Sequence, residues 1–247
     1  MTGIIVIPTY NESKNIALLI KTIFSLTDGL SIIAVDDNSP DGTGEILDSL
    51  AKEIPRLKVI HRHKKMGLGS AYTEGFKLAL QEKSNFVFQM DGDFSHDPKY
   101  ILQMLKAIKD YDLVIGSRYV PGGGVENWNF WRRILSKFGN LYVRLITGIP
   151  VRDTTSGFKC FRREVLESIN LERISSEGYA FQIEMNYLVW QKGFRIKEIP
   201  IIFYERRREK SKINGRIILE ALRIVWKLRY QYFTSNRRNI PDSSFVL

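Results

Sequence analysis

Phe86-Val87-Phe88-Gln89-Met90-Asp91-Gly92-Asp93-Phe94-Ser95-His96-Asp97-Pro98 begins as a short apolar run and ends among carboxylates. Phe86, Val87, Phe88 and Met90 combine aromatic and β-branched members, the pattern of a buried strand. The run breaks at Asp-Gly-Asp. Two carboxylates one residue apart at a strand end, separated by the smallest residue, can converge on one hard cation. Oxygen ligands suit Mg²⁺ or Mn²⁺, and Mg²⁺ is commonly held by one or two protein carboxylates plus substrate phosphates. A nucleotide diphosphate is then the natural third party. Taken alone, Asp-Gly-Asp reads equally well as a polar turn.

Working outward, the same strand-then-carboxylate arrangement recurs. Gly3–Ile7 reads as a strand that ends in Pro8-Thr9-Tyr10-Asn11-Glu12, followed by a helix with Ile16, Leu19, Ile20 and Ile23 on one face. Ser31–Val35 is a second strand, ending in Asp36-Asp37, and a helix over Gly44–Lys52 follows. Leu57–Ile60 is a third strand, and a basic loop (Arg62 to Lys65) leads into Gly67-Leu68-Gly69 and a helix to Leu80. Beyond the central strand come a helix near Lys99–Lys109 and strand Leu113–Ile115, which runs into Gly116-Ser117-Arg118-Tyr119. Nearly continuous apolar strands alternating with helices predict a mostly parallel sheet covered on both faces. Ligands bind beyond the carboxyl ends of such strands, where Pro8–Glu12, Asp37, Asp91, Asp93 and Arg118 all fall.

The second half changes character. Gly122-Gly123-Gly124 reads as a flexible connection, Trp131–Ile146 as a helix, and Asp153–Lys159 as a loop entering a short strand. A helix over Gly178–Gln191 and a strand over Ile196–Phe203, broken by Pro200, follow. Residues 206–212 carry five basic side chains in seven. They precede a helix over 213–233 with Arg216, Glu220, Arg223 and Lys227 on one stripe, a pattern suited to an anionic membrane surface. A solvated charge run is the plainer reading. The expected organisation is a catalytic domain over 1–212, an amphipathic membrane- or partner-facing helix over 213–233 and a loose tail over 234–247.

Composition narrows the classes. The 247 residues suffice for a substantial core, and 44% hydrophobic with 26% charged residues is ordinary for a globular chain. One cysteine, Cys160, excludes an intramolecular disulfide and fits a reducing compartment. No signal peptide and no uncharged apolar run of membrane-spanning length is expected. The net charge of +10 implies an anionic partner: nucleic acid, an acidic membrane or phosphorylated substrates. Nucleic acid is disfavoured, because the basic residues flank carboxylates rather than form an aromatic-lined stripe. His61, His63 and His96 lack metal-ligand spacing, Cys160 reads as core, and no G-x-S-x-G nucleophile motif occurs. Gly67-Leu68-Gly69 resembles a phosphate cradle but equally a plain turn, and Lys64 and Lys65 face either a diphosphate or solvent.

Taken together, these stretches resemble the family 2 glycosyltransferases of GT-A (Rossmann-like) fold, and within them the dolichyl (polyprenyl) phosphate mannose synthases. The matching segments are Ile-Pro-Thr-Tyr-Asn-Glu (7–12), Val-Asp-Asp-Asn-Ser-Pro-Asp-Gly-Thr (35–43), Gly-Leu-Gly-Ser-Ala-Tyr (67–72) and Met-Asp-Gly-Asp-Phe-Ser-His-Asp-Pro (90–98). Further on come Gly-Ser-Arg-Tyr (116–119), Asp-Thr-Thr-Ser-Gly-Phe-Lys (153–159), Gly-Tyr-Ala-Phe-Gln-Ile-Glu (178–184), and Arg206 with Ser211-Lys212. The resemblance implies that Pro8, Tyr10, Glu12, Val35 and Asp37 contact the base and ribose. It implies that Asp91, Asp93 and Ser95 form the shell of Mg²⁺ or Mn²⁺ on the donor diphosphate, lined by Gly92. Arg118, Arg206 and Lys212 become a phosphate clamp, helped by Arg132 and Ser136 at the acceptor. Two departures stand out: Gly92 where the family often has alanine, and Glu209 where its basic loop usually has glycine.

The reaction so implied is inverting transfer of mannose from GDP-mannose to a dolichyl or polyprenyl phosphate. It would occur peripherally at the cytoplasmic face of a membrane, alone or with a small membrane-spanning partner subunit. The alternatives are glucose transfer from UDP-glucose on the same fold or, in another class, a basic nucleic-acid-binding or membrane adaptor protein.

Overall fold

A computed structural model describes residues 2–205 and 222–230. Its core is a seven-stranded sheet of order β3-β2-β1-β4-β7-β5-β8, made of β1 (Gly3–Thr9), β2 (Leu30–Asp36), β3 (Leu57–His61), β4 (Phe86–Gln89), β5 (Leu113–Ser117), β7 (Lys159–Arg162) and β8 (Ile196–Pro200). β1 pairs in parallel with β2 and β4, β2 with β3, and β5 with β8. β7 alone runs antiparallel, wedged between β4 and β5. The mostly parallel α/β sheet expected from the apolar strands is therefore present, with one reversal that strand patterning does not reveal.

Alternation along the strands divides the core in two. Ile4, Val6, Ile33 and Val35 turn to one face and pack with α3 (Leu68–Gln81) and α7 (Gly178–Gln191). Ile5, Ile7, Ile32 and Ala34 turn to the other, beneath α1 (Ile16–Leu26), α2 (Thr43–Glu53) and α4 (Tyr100–Ala107). α1 buries Ile16, Leu19, Ile20 and Ile23, the four positions its sequence spacing selects. Fully burying side chains of this size is worth about 1.5–3 kcal/mol each, which is why both faces need helical cover. Ile224, Val225 and Leu228 of the helical stretch 222–230 join the first of these clusters.

Three features differ from the sequence reading. The glycine triplet is an ordered turn rather than a flexible connection: Gly122 has φ +87°, and a Cβ on Gly123 would lie 2.5 Å from the Ser117 carbonyl oxygen. The turn opens directly into β6 (Gly124–Glu126), which pairs in parallel with β9 (Ile202–Tyr204) as a separate two-stranded sheet. The predicted break at Pro200 is where the chain leaves the main sheet for this smaller one. Finally, a short α6 (Arg163–Ser168) and a 3₁₀ turn at Leu171–Arg173 follow β7, both too short for periodicity to register.

α5 (Phe130–Thr147) has clear punctuation. Asn129 caps it by accepting from the Arg132 amide at 2.8 Å, and Gly148 ends it with φ +76° and its amide on the Arg144 carbonyl. It buries only Asn140, Val143 and Thr147, and leaves Phe130, Trp131, Leu135, Phe138, Leu141 and Leu145 exposed. Among the described residues no helix is long and apolar enough to cross a membrane.

Candidate active site

Because β1, β2, β4 and β5 are parallel, their carboxyl ends share one edge, and the reversed β7 brings its amino end to that edge as well. Pro8, Tyr10, Glu12, Asp37, Asp91, Gly92, Asp93, Ser95, Arg118 and Arg132 all line one cavity of about 440 Å³ there. Arg206 and Lys212 lie outside the described residues, as does most of the basic helix expected over 213–233.

At one end, Pro8 to Glu12 form the wall after β1. Lys65 Nζ sits 3.5 Å from the centre of the Tyr10 ring; both lysines are exposed, but Lys65 lines the cavity and Lys64 does not. Asp37 accepts from Arg62 Nη1 at 2.8 Å and from the Met66 and Gly67 amides at 2.9 Å each. Arg62 is consequently buried as a support for Asp37, not presented to a ligand. Asp36 is a turn former, accepting from Thr9 Oγ1, the Ser39 amide and the Ser39 hydroxyl. Val35 has no part in the wall: its side chain is fully buried against α3, where a Cβ on Gly75 would meet it at 3.2 Å. The anticipated phosphate cradle at Gly67-Leu68-Gly69 is also taken, since the Glu177 carboxylate accepts from the Gly69 and Ser70 amides at 2.7 and 3.1 Å.

The middle of the cavity holds the acidic pair. Asp91 accepts from the buried Tyr72 hydroxyl at 2.8 Å, and burial followed by the Asp91 charge pushes the Tyr72 phenol well above its usual range. Asp93 accepts from the Ser95 amide at 3.0 Å across Phe94, whose φ of +60° is an outlier for a bulky residue. The pairing of Gln89 with Lys159 places position 157 across from Asp91. That position is tight: a Cβ would sit 3.0 Å from Asp91 Oδ2, so any larger residue would have to displace the carboxylate by a few tenths of an ångström. Position 92 is more permissive: a Cβ would find its neighbours at 3.4–3.5 Å, ordinary contact, so the departure from alanine is structurally neutral. Among the described residues no group of three His, Cys, Asp or Glu side chains could hold a metal by itself. Two carboxylates with hard oxygens fit a divalent cation that draws its remaining ligands from substrate phosphates.

His96, given no role by spacing, is buried at 1% exposure beside this pair. Its Nδ1 lies 3.8 Å from Asp91 Oδ2, and its ring stacks on Phe158 and meets Phe203 edge-on. Burial lowers its pKa, opposed by Asp91 and Asp93, so it is a neutral wall of the acidic site. No sequence spacing announces this, because its ring partners are distant in sequence, Phe158 just before β7 and Phe203 in β9.

The far end is cationic. Arg118 is buried and grips Asp153 bidentately, Nε to Oδ2 at 2.8 Å and Nη2 to Oδ1 at 2.6 Å, with a further bond from its own amide. Burial alone would lower its pKa, but the Asp153 charge more than offsets this and raises it. Its charge is thus largely balanced by Asp153, which an unencumbered phosphate clamp would not be. Arg132 pairs with Glu205 and lies over the Trp128 ring at 4.3 Å. Ser136 is not in the wall; its hydroxyl accepts from Tyr119 at 2.6 Å. Asp153 and Thr155, which hold Arg118, belong to a stretch the sequence motif contained but whose partner it did not reveal.

The geometry has matching relatives. Residues 4–169 match the family described as Glycosyl transferase family 2. The polyprenol monophosphomannose synthase of Mycolicibacterium smegmatis is 43% identical over 230 residues, covering 92% of this chain and 87% of that protein. The undecaprenyl-phosphate mannosyltransferase of Micrococcus luteus is 40% identical, covering 90% and 91%. The dolichol-phosphate mannosyltransferase of Pyrococcus furiosus is 40% identical, covering 91% of this chain and 62% of that protein. In fold, the chain is similar to glucosyl-3-phosphoglycerate synthase from Mycobacterium tuberculosis, solved in complex with Mn²⁺, uridine-diphosphate-glucose and phosphoglyceric acid. That likeness has a TM-score of 0.68 at 18% identity and covers 100% of this chain and 82% of the other. The chain has the GT-A-like fold and belongs to glycosyltransferase family 2.

Proposed function

We propose that the protein transfers mannose from GDP-mannose to a polyprenyl or dolichyl monophosphate in a single displacement with inversion at the anomeric carbon. The observation that carries this reading is the division of one cavity into an acidic middle, Asp91 and Asp93, and a guanidinium end, Arg118 and Arg132. The mannosyl donor and lipid-phosphate acceptor are supported by the names of relatives at 40–43% identity.

The acceptor phosphate has a second pKa near ~6, so it is already largely ionised at neutral pH and needs no strong base. One of its oxygens attacks C1, the C1–O bond to the diphosphate breaks, and GDP leaves with the electron pair. The task of the protein is to hold two anions in line by preorganised charge. Pro8, Tyr10, Glu12 and Asp37 hold the nucleoside, and Lys65 approaches its diphosphate. Asp91, Asp93 and Ser95 hold Mg²⁺ or Mn²⁺, which when bound supplies positive charge to the leaving diphosphate. Arg118, through the nitrogen Asp153 does not take, and Arg132 meet the acceptor phosphate, joined by Arg206 and Lys212. The exposed apolar side chains of α5, with exposed Arg133, Lys137 and Arg144 beside them, suit an anionic membrane surface on which that acceptor is presented.

The test is transfer of labelled mannose from GDP-mannose to a short polyprenyl phosphate with Mg²⁺ or Mn²⁺, with EDTA, and with Asp93→Ala, using UDP-glucose as the competing donor. Metal-dependent transfer of mannose, lost by at least about 100-fold in the variant, is expected. Transfer from UDP-glucose alone would overturn the donor, and undiminished transfer by Asp93→Ala would overturn the metal site.

A further inference from the structure

Beneath the cavity floor lies a polar chain that the reaction scheme above does not use. Lys159, in β7, is fully buried, and its Nζ donates to both the side-chain Oε1 and the backbone carbonyl of Gln182. Gln89 Nε2 donates to the same Gln182 Oε1 at 2.6 Å. Gln89 also neighbours the Tyr72 hydroxyl, which in turn donates to Asp91.

The directions in this chain are fixed by chemistry. An ammonium or amine nitrogen of lysine has hydrogens to give, so the end of the Gln182 amide it meets must be the oxygen. With two donors already on Oε1, a flipped amide would set N–H against N–H. The Gln182 Nε2 group therefore points the other way. Gln182 is only 2% exposed, yet it lines the cavity, and no described residue accepts from its Nε2. A donor at the cavity wall whose acceptor end is already held in place is preorganised for an acceptor on a ligand.

Its location indicates the ligand. Gln182 lines the same cavity as Asp91 and Asp93 of the acidic middle and Arg118 and Arg132 of the guanidinium end. In the proposed reaction, the ring being transferred must span that interval, since C1 passes from one phosphate to the other. A neutral amide N–H matches a hydroxyl oxygen; the phosphates have cations for partners.

We infer that Gln182 Nε2 donates a hydrogen bond to a hydroxyl of the transferred hexose, and that Lys159 is the positioning residue that keeps this donor facing the sugar. This rests on the glycosyl-transfer reading and names the part of that site which reads the sugar itself.

The test uses the full chain with whichever of GDP-mannose and UDP-glucose it turns over, together with the mono-deoxy analogues of that hexose. Gln182→Ala should lower kcat/KM roughly 10-fold while GDP affinity, measured by calorimetry with Mn²⁺, stays within about 2-fold. For one deoxy donor, wild type and Gln182→Ala should become equal, which identifies the hydroxyl. Gln182→Glu, which keeps the shape and removes the donor, should behave like Gln182→Ala. Lys159→Met should reproduce the loss, and the double variant should add nothing to it.

The inference is overturned if Gln182→Ala keeps the wild-type constant, if GDP affinity falls in parallel, or if no deoxy donor equalises the two enzymes. A wild type that moves no hexose at all would bring down the transferase reading first, and this inference with it. If Lys159→Met does not fold, the Gln182 variants with the deoxy series still decide the matter.

Discussion

Replacing Asp153 by asparagine should be the most damaging single isosteric change in the described structure. Asp153 is fully buried and accepts three bonds from Arg118, while the Glu198 carboxylate receives its amide. An asparagine offers one acceptor oxygen where the guanidinium now has two, and sets an amide N–H₂ against its N–H groups. Arg118 is itself only 6% exposed, so it cannot recover its hydration. Breaking a buried ion pair by removing one partner costs about 3–5 kcal/mol. For a chain of this size each kcal/mol lowers Tm by about 2–4 °C, so a drop of roughly 6–20 °C is expected. Thermal unfolding followed by circular dichroism reads it directly. The companion double variant Asp153→Leu with Arg118→Met removes both charges and should regain much of the loss. A shift below about 2 °C for Asp153→Asn would refute the argument, because it would mean that Arg118 is neutralised by something other than Asp153.

Two further outcomes follow from the same edge of the sheet. Gly157→Ala puts a methyl 3.0 Å from Asp91 Oδ2, on the carboxylate whose Oδ1 is held by Tyr72; stability should fall by only about 1 kcal/mol, but kcat should fall about 10- to 100-fold with weaker Mn²⁺ binding, as read by titration and turnover. Burial lowers the pKa of Lys159 to about 7, against the opposing pull of Asp153 and Asp91, whereas its unfolded value is 10.5. Between these values the unfolded chain binds more protons, so the Lys159 contribution makes stability rise with pH from about 7 to 10.5, and urea unfolding of Lys159→Met should lack that rise.

What the sequence made legible is what depends on local pattern. The apolar runs of β1, β2, β4 and β5, the buried face of α1, the span of α7, and the carboxyl-end positions of Asp37, Asp91, Asp93 and Arg118 all follow from period and punctuation. The parts that stayed hidden depend on pairing between distant segments. Nothing around Arg118 indicates that Asp153 will take its charge, and nothing in the basic loop separates Arg62, which turns inward to Asp37, from Lys65, which turns to Tyr10. The placement of His96 stayed hidden because the rings around it, Phe158 just before β7 and Phe203 in β9, are distant in sequence. Val35 illustrates the converse: a position near the cavity-lining Asp37 whose own side chain alternates into the core.

The reversed β7 also bears on how such a chain is made. β4 and β5 are synthesised well before the strand that joins them, and each has an open edge until β7 arrives. Unpaired strand edges invite pairing with other chains. A nascent protein emerging from the ribosome would pass through a stage in which half of the sheet is complete, Asp91 has no Gly157 beside it and Arg118 has no counter-charge. Release from that stage requires the loop at 153–158 to be threaded in together with its strand, so a slowly translated or truncated message in this region would yield aggregates rather than a partly active enzyme.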